Sequence, residues 1–115
     1  MTIMELRFHL PEGGTLPAEL NISTQHILIQ GKDIHLSRQE MTLLLALIRR
    51  SGQLLSREEV MRCAWGYKAV VSTRTVDVHI QRLRNKIGES CIETVYRLGY
   101  RVTADVLNER EEGSK

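Results

Sequence analysis

The segment TVDVHIQRLRNKIG, residues 75–88, decides the fold predicted for this chain of 115 residues. On a helix, at about 100° per residue, four apolar side chains share one narrow stripe. These are Val76, Ile80, Leu83 and Ile87. The opposite face is polar and carries Arg74, Gln81, Arg82 and Asn85. Val78 lies at the centre of that polar face, and a β-branched apolar residue in such a position needs a reason.

Two more helices are predicted upstream, and each begins with a capping box. Ser37 is followed by Glu40 just before the apolar run MTLLLALI, and Ser56 is followed by Glu59. A Ser three residues before a Glu satisfies free backbone N–H groups where a helix starts. The predicted helix ends are Gly52, Trp65–Gly66 and Gly88, and the third helix is capped by Ser72 or Thr73.

Short strands flank the helices on both sides. In IMELRFHL the apolar residues alternate with Glu5, Arg7 and His9, which is the period of a half-buried strand. The loop PEGGTLP ends this strand, and ELNI, HILIQ and DIHL follow, with a turn at Gly31–Lys32. After the third helix, CIETVYRLGYRVT predicts two β segments around residues 97–99. The charged end, NEREEGSK, is predicted to fray.

This order of sheet, three helices and β-hairpin predicts an α+β winged helix-turn-helix fold. In such folds the second helix of the helix-turn-helix pair enters the DNA major groove, and the hairpin is the wing. The predicted domain spans residues 1–105, and a flexible tail spans residues 106–115. Within the domain, the predicted parts are a sheet in 1–36, the helices in 37–88 and the wing in 89–104.

Composition is that of a single-domain globular protein, with 42% hydrophobic and 26% charged residues. No apolar run approaches the roughly 20 residues that cross a bilayer. The N-terminal residues lack the basic flank and apolar core of a signal peptide. The sequence therefore predicts a cytoplasmic protein without a membrane segment.

The sequence shows no pattern typical of catalysis or metal binding. Cys63 and Cys91 lack CxxC spacing and are interpreted as small, reduced apolar side chains. The four histidines lack metal-ligand spacing, and neither a Gly-rich phosphate loop nor a nucleophile elbow is present. Neither an enzyme nor a cofactor or metal site is predicted.

Positive charge is concentrated in residues 70–101, where six Arg or Lys oppose three acidic residues, a net charge of +3. Residues 1–69 carry a net charge of +1, and the residues from Asp105 onward carry −2. A basic patch confined to one sub-region is expected of a protein that binds a polyanion.

The polar face of the third helix carries the side-chain types that distinguish bases in the major groove. Arg binds guanine O6 and N7, Gln and Asn bind adenine, and an apolar group contacts the thymine methyl. Val78 is therefore interpreted as a methyl reader. Alternatively, it is a single exposed apolar residue, which is common. His79, Arg84 and Lys86 lie on the flanks, where a helix in the groove meets the phosphate walls.

Two charged residues near this face have two interpretations each. Asp77 either orients Arg74 or Arg84, or forms an ordinary ion pair one turn away on its own helix. Arg97, at the hairpin tip, either enters a minor groove, where negative potential favours Arg, or is a solvated loop residue.

Three motifs cover about residues 20–103 in one order: LSRQEMTLLLALIRRSGQLLSREEVMRCAWG, STRTVDVHIQRLRNKIG and IETVYRLGYRV. In this order they resemble the DNA-binding domain of the OmpR/PhoB response-regulator family. The resemblance implies a four-stranded N-terminal sheet, three helices and a C-terminal wing. It also implies that two subunits in tandem bind direct repeats in double-stranded promoter DNA.

Helix geometry gives the expected contacts on the third helix, whereas the contacts of Trp65 and Tyr100 and the polymerase-facing loop are implied by the resemblance alone. The expected base readers are Val78, Arg82, Gln81 and Asn85. The expected DNA-backbone contacts are Trp65, Arg74, Thr75, His79, Arg84, Lys86 and Tyr100. The residue expected at the minor groove is Arg97. The loop expected to face RNA polymerase consists of Gly66, Tyr67, Lys68, Ala69 and Val70.

The chain departs from the family pattern in three respects. Gln81 replaces a frequent Arg, Tyr96-Arg97 stands where the wing commonly has a residue followed by Gly, and no receiver domain is present. An excised effector domain or a small standalone regulator is therefore expected. The alternative function is a winged-helix module that contacts RNA polymerase or another regulator, and the N-terminal strand could also pair with another sheet edge. Arg74 and Arg82 on the groove face favour DNA.

Overall fold

The computed structural model describes residues 2–66 and 72–111 and confirms the winged helix-turn-helix fold. The strands are β1 (Thr2–His9), β2 (Thr15–Asn21), β3 (His26–Ile29), β4 (Lys32–His35), β5 (Glu93–Val95), β6 (Gly99–Arg101) and β7 (Ala104–Glu111). The helices are α1 (Arg38–Arg49), α2 (Arg57–Trp65) and α3 (Thr73–Ile87), with a 3-10 turn at Glu89–Cys91. No helix in the described part of the chain is both long and apolar enough to span a bilayer.

A five-stranded antiparallel sheet in the order β4-β3-β2-β1-β7 forms one layer of the domain. The alternation predicted for β1 is confirmed, because Met4, Leu6 and Phe8 are buried. They belong to the same hydrophobic cluster as Leu44 of α1 and Ile80 of α3. A single hydrophobic core therefore joins the sheet to the helices, and the buried face of α3 packs against it.

The predicted flexible tail is corrected by β7, which makes the sheet five-stranded rather than four-stranded. Residues 104–111 pair with β1 along its length, with a bulge opposite Glu5 and Leu6. Asp105 lies 2.7 Å from His9, and Arg110 forms an ion pair with Glu5. Charged side chains of β7 therefore pair with side chains of β1, whereas the sequence analysis expected them to be solvated. Residues 112–115 lie outside the described part.

Two strand boundaries also differ from the prediction. Pro17, placed in a loop by the sequence, lies within β2, beyond the last β2–β3 pair at Ala18. One side of the strand is unpaired there, which is where a strand tolerates proline. The β3–β4 turn is centred one residue earlier than predicted, at Gln30 and Gly31, which have φ values of 51° and 74°.

Both predicted capping boxes are confirmed. The Ser37 side chain accepts a hydrogen bond from the Glu40 backbone N–H, and the Glu40 carboxylate accepts one from Ser37 in return. Ser56 and Glu59 do the same at the start of α2. Of the two predicted caps for α3, Ser72 is the one observed, bonded to the Thr75 N–H.

The wing is a short hairpin that is joined to the chain just before α2. β5 and β6 share three residue pairs, and Tyr100 exchanges two backbone hydrogen bonds of 2.9 Å with Leu55. At the tip, the Leu98 N–H donates to the Val95 carbonyl, and Arg97 has a φ of 64°. Arg97 therefore adopts a left-handed conformation, which glycine adopts at a lower energetic cost.

Candidate nucleic-acid interface

The outer face of α3 has the composition that its periodicity predicts. The four stripe residues are buried, whereas Arg74, Gln81, Arg82 and Asn85 are exposed, and Val78 is 43% exposed. Gln81 Nε2 donates to Asn85 Oδ1 at 3.1 Å, so these two amides are aligned on the surface. Within residues 2–66 and 72–111, Arg82 has neither a hydrogen bond nor an ion pair in the structure, so its guanidinium donors are available to a ligand.

One flank of α3 is bonded to α2 and the wing. Asp77 accepts a hydrogen bond from Arg57 Nε at 2.7 Å and a second from the Tyr100 hydroxyl on the same oxygen, Oδ1. Both predicted interpretations of Asp77 are wrong, because its partners belong to α2 and β6. Burial raises the pKa of Asp77, but the hydrogen bonds from Tyr100 and Arg57 lower the pKa more, so the carboxylate stays ionised.

Tyr100, predicted as a phosphate contact, is largely buried and only 5% exposed. Burial, together with its bond to the Asp77 carboxylate, raises the pKa of the Tyr100 phenol to about 12. The guanidinium of Arg84 lies 5.5 Å from the centre of the Tyr100 ring, and that of Arg57 lies 6.0 Å away. Two cations therefore lie close to the buried ring, and its hydroxyl is bonded to Asp77.

Arg84 also binds the wing. Its Nε and Nη2 donate to the Ile92 carbonyl at 3.1 and 2.6 Å, and Nη2 also donates to Thr94 Oγ1. These hydrogen bonds use one edge of the guanidinium, formed by Nε and Nη2. They hold the residues around β5 against α3. The fold uses Arg84 to attach the wing, a role that its position in the sequence did not indicate.

The other flank of α3 is bonded to the start of α1. Lys86 Nζ lies 2.6 Å from Glu40 Oε1 and 3.1 Å from the His35 carbonyl oxygen. The Glu40 side chain is only 7% exposed and also closes the capping box of α1. Burial raises the pKa of Glu40, but hydrogen bonds from Lys86 and Ser37 lower the pKa more. Lys86 thus neutralises a buried carboxylate.

Replacing Lys86 with methionine should lower the free energy of unfolding at pH 7 by about 1 kcal/mol, because Glu40 loses its charged donor. Since the pKa of folded Glu40 is lowered, this contribution is complete above the unfolded value of about 4.3 and disappears as pH falls through the folded value. Urea unfolding at neutral and acidic pH checks this. Lys32→Met, at an exposed lysine of β4, is the control. An equal loss for Lys86→Met at both pH values would contradict the pairing.

Trp65 and His79 form a partly exposed pair beside the outer face. Their ring centres are 5.3 Å apart at an interplanar angle of 44°. Burial and then the nearby charge of Arg82 lower the pKa of His79, so its imidazole is neutral at physiological pH. Gly66 follows the last residue of α2, and its N–H donates a hydrogen bond to the Arg62 carbonyl oxygen. The remaining residues of the predicted polymerase-facing loop, Tyr67, Lys68, Ala69 and Val70, lie outside the described part.

The wing tip exposes two large apolar side chains that the sequence analysis did not select. Tyr96 is 78% exposed and Leu98 is 58% exposed. The guanidinium of Arg97, between them, lies 5.2 Å from the centre of the Tyr96 ring. The signal for their exposure was present in the sequence, since a two-strand hairpin must turn near Arg97 and residues of the turn have nothing to pack against.

Comparisons with known proteins agree with this geometry. Residues 31–102 match the family described as "Transcriptional regulatory protein, C terminal". The transcriptional regulatory protein CseB of Streptomyces avermitilis is 41% identical over 97 residues, which cover 82% of this chain and 41% of CseB. The chain thus spans less than half of that relative.

Solved structures give the same result. The DNA-binding domain of Bacillus subtilis CssR has a TM-score of 0.66 and 32% identity, covering 75% of this chain and 99% of that one. The Klebsiella pneumoniae RstA DNA-binding domain, in complex with the RstA box, has a TM-score of 0.63 and 25% identity, covering 75% and 90%. Both are DNA-binding domains, and each matches three quarters of this chain.

Proposed function

The chain belongs to the OmpR/PhoB-type family of DNA-binding transcriptional regulators, and from this we propose how it reads DNA. The α3 helix lies in the major groove, with Val78 and Arg82 on base edges and Gln81 and Asn85 beside them. The observation that carries this proposal is the outer face of α3. It presents the Arg82 guanidinium, which has no hydrogen-bond or ion-pair partner among residues 2–66 and 72–111, next to the exposed Val78. The flanks of the helix are bonded to α1, α2 and the wing.

Chemistry supports these base contacts. Arg82 has the forked donor set that matches guanine O6 and N7, and such a bidentate contact discriminates by about 1–3 kcal/mol. The exposed methyl groups of Val78 match the thymine methyl. The Gln81–Asn85 bond keeps one donor and one acceptor pointing out of the helix for adenine.

The proposed phosphate contacts are those predicted residues that are exposed or partly exposed beside the outer face of α3. Trp65, Arg74, Thr75 and His79 surround the N-terminal half of the outer face and are at least partly exposed. Lys86 and Tyr100 have protein partners, and Arg84 has one edge engaged, so we propose that they support the surface from inside. Arg97 at the exposed wing tip then approaches the adjacent minor groove, which attracts Arg by its negative potential.

Two copies in tandem on direct repeats complete the proposed complex. The outer face of α3 from Arg74 to Asn85 is about 16 Å long, which corresponds to about five base pairs. A site of that length is too short to be distinctive in a genome, so specificity requires a second copy on a second half-site. Contact with RNA polymerase through residues 66–70 remains a prediction.

The test is selection of the tightest duplex from a random pool, followed by titration with salt. We expect one preferred sequence and tighter binding to direct than to inverted repeats about 10 base pairs apart. Because Arg74, Arg82 and Arg97 are the cations proposed to face DNA, the observed affinity should fall with a log–log slope of about −1 to −3 per domain. Weak and equal binding to all duplexes would overturn the proposal. It would favour the alternative, a winged-helix module that contacts a protein.

A further inference from the structure

We propose that Asp77 and Tyr100 are positioning residues that fix the wing relative to α3, so that base contacts and the minor-groove contact form together. This inference rests on the proposed function. Its physical basis is one carboxylate oxygen, Asp77 Oδ1, which accepts hydrogen bonds from Arg57 in α2 and Tyr100 in β6. Three elements that must keep a fixed geometry on DNA therefore meet at a single atom.

The wing depends on such anchors for its direction. It consists of three residue pairs, and a two-stranded hairpin of this size does not hold its shape alone in water. Thr94, Tyr96, Arg97 and Leu98 are exposed and make no core contacts that would orient the tip. The orientation must come from the base of the hairpin.

Each anchor at the base restrains a different motion. The backbone pair between Leu55 and Tyr100 holds the position of β6, and Arg84 holds the residues around β5 against α3. A backbone pair along one short strand leaves that strand free to twist about its own axis. The Tyr100 hydroxyl, at the end of a long rigid ring, removes that freedom by bonding to Asp77 on α3. Arg97 lies three residues from Tyr100, so a twist of β6 moves the tip.

The charges around the Tyr100 hydroxyl indicate that its hydrogen bond to Asp77, and not only the packing of its ring, orients the wing. Asp77 accepts hydrogen bonds from Arg57 and from the Tyr100 hydroxyl, and the guanidinium groups of Arg57 and Arg84 both lie close to the Tyr100 ring. Replacing Tyr100 with phenylalanine keeps the buried ring and removes only the hydroxyl. Replacing Asp77 with asparagine keeps the size and removes the charge.

The test is a double-mutant cycle on the selected duplex, combining Arg97→Ala with Tyr100→Phe. We expect Arg97→Ala to weaken binding about 10-fold in the wild-type background and less than about 2-fold in the Tyr100→Phe background. Arg82→Ala should cost the same factor in both backgrounds, because α3 itself does not move. Melting curves of each variant establish that it is folded at the temperature of the binding measurement.

Two further variants separate positioning from stability. Asp77→Asn should abolish the Arg97 effect as Tyr100→Phe does, and should lower the pKa of the Tyr100 phenol, followed by ultraviolet titration. Glu93→Gln, which breaks an ion pair with Arg101 inside the wing, is the matched control and should leave the Arg97 effect intact. If Tyr100→Phe does not fold, the double-mutant cycle that combines Arg97→Ala with Asp77→Asn tests the inference instead.

Equal Arg97→Ala factors in all backgrounds would overturn the inference while leaving base reading by α3 intact. An Arg97→Ala variant that binds like wild type would also overturn it, because no wing contact would exist to be positioned. Failure of the wild-type protein to select any sequence would instead reject the proposed function on which the inference rests.

Discussion

Gly99→Ala is expected to destabilise the domain by about 3–5 kcal/mol, among the largest effects of a single substitution. A Cβ at Gly99 would lie 1.9 Å from the Leu55 carbonyl oxygen and 2.9 Å from the Ser56 Cα. The φ of Gly99 is +144°, which adds strain for any L-residue. The contacted atoms are backbone, and Leu55 is held there by its two hydrogen bonds to Tyr100. Relaxation must therefore separate β6 from the chain before α2.

Urea unfolding followed by circular dichroism measures this effect, with Gly13→Ala as the matched control. Gly13 has a similarly positive φ of 108°, but no atom lies within 4 Å of its added Cβ. The control therefore reports backbone strain alone, about 1 kcal/mol. If the two variants lose the same stability, the close approach of β6 to Leu55 is not as tight as described.

Sequence periodicity predicted the helices and most strands because each depends on residues close together in the chain. The two capping boxes are examples, since Ser37 and Glu40 recognise each other across three residues. The stripe of α3 and its exposed opposite face were predictable for the same reason. Val78 was correctly placed on the exposed face.

The contacts that hold the flanks of α3 were not predictable from local patterns. Asp77 bonds to Arg57 and Tyr100, which are 20 and 23 residues away, and Lys86 bonds to Glu40, 46 residues away. On a helix wheel, a charged residue that faces solvent and one that faces a neighbouring element look the same. The basic flanks were therefore all assigned to phosphates.

The last strand was missed for a related reason. Residues 106–115 were predicted to form a flexible tail because their end, NEREEGSK, is highly charged, yet residues 106–111 belong to β7. Its stability comes from partners at the other end of the chain, such as His9 for Asp105 and Glu5 for Arg110. β1 and β7 are far apart in the sequence, and they can pair only because the folded core brings them together.

Arg82→Ala is expected to weaken binding to the selected duplex by about 10-fold to 100-fold, equivalent to the loss of one bidentate base contact. The fold should be unaffected, because Arg82 is exposed and has no hydrogen-bond or ion-pair partner in the described residues. Discrimination should be lost at one G·C pair of the site, while binding to unrelated duplexes falls much less. Val78→Ala should reduce the preference for thymine at a neighbouring position.

Fluorescence anisotropy on the selected duplex and on single-base variants of it measures both effects. Arg7→Ala is the matched control, since it removes the same charge from an exposed position on β1, in the sheet layer rather than on α3. Equal losses for Arg82→Ala on every duplex would make Arg82 a phosphate contact, and a loss no larger than that of Arg7→Ala would remove it from the interface. A loss confined to one G·C pair requires that the guanidinium reach that base, which places the outer face of α3 in the major groove.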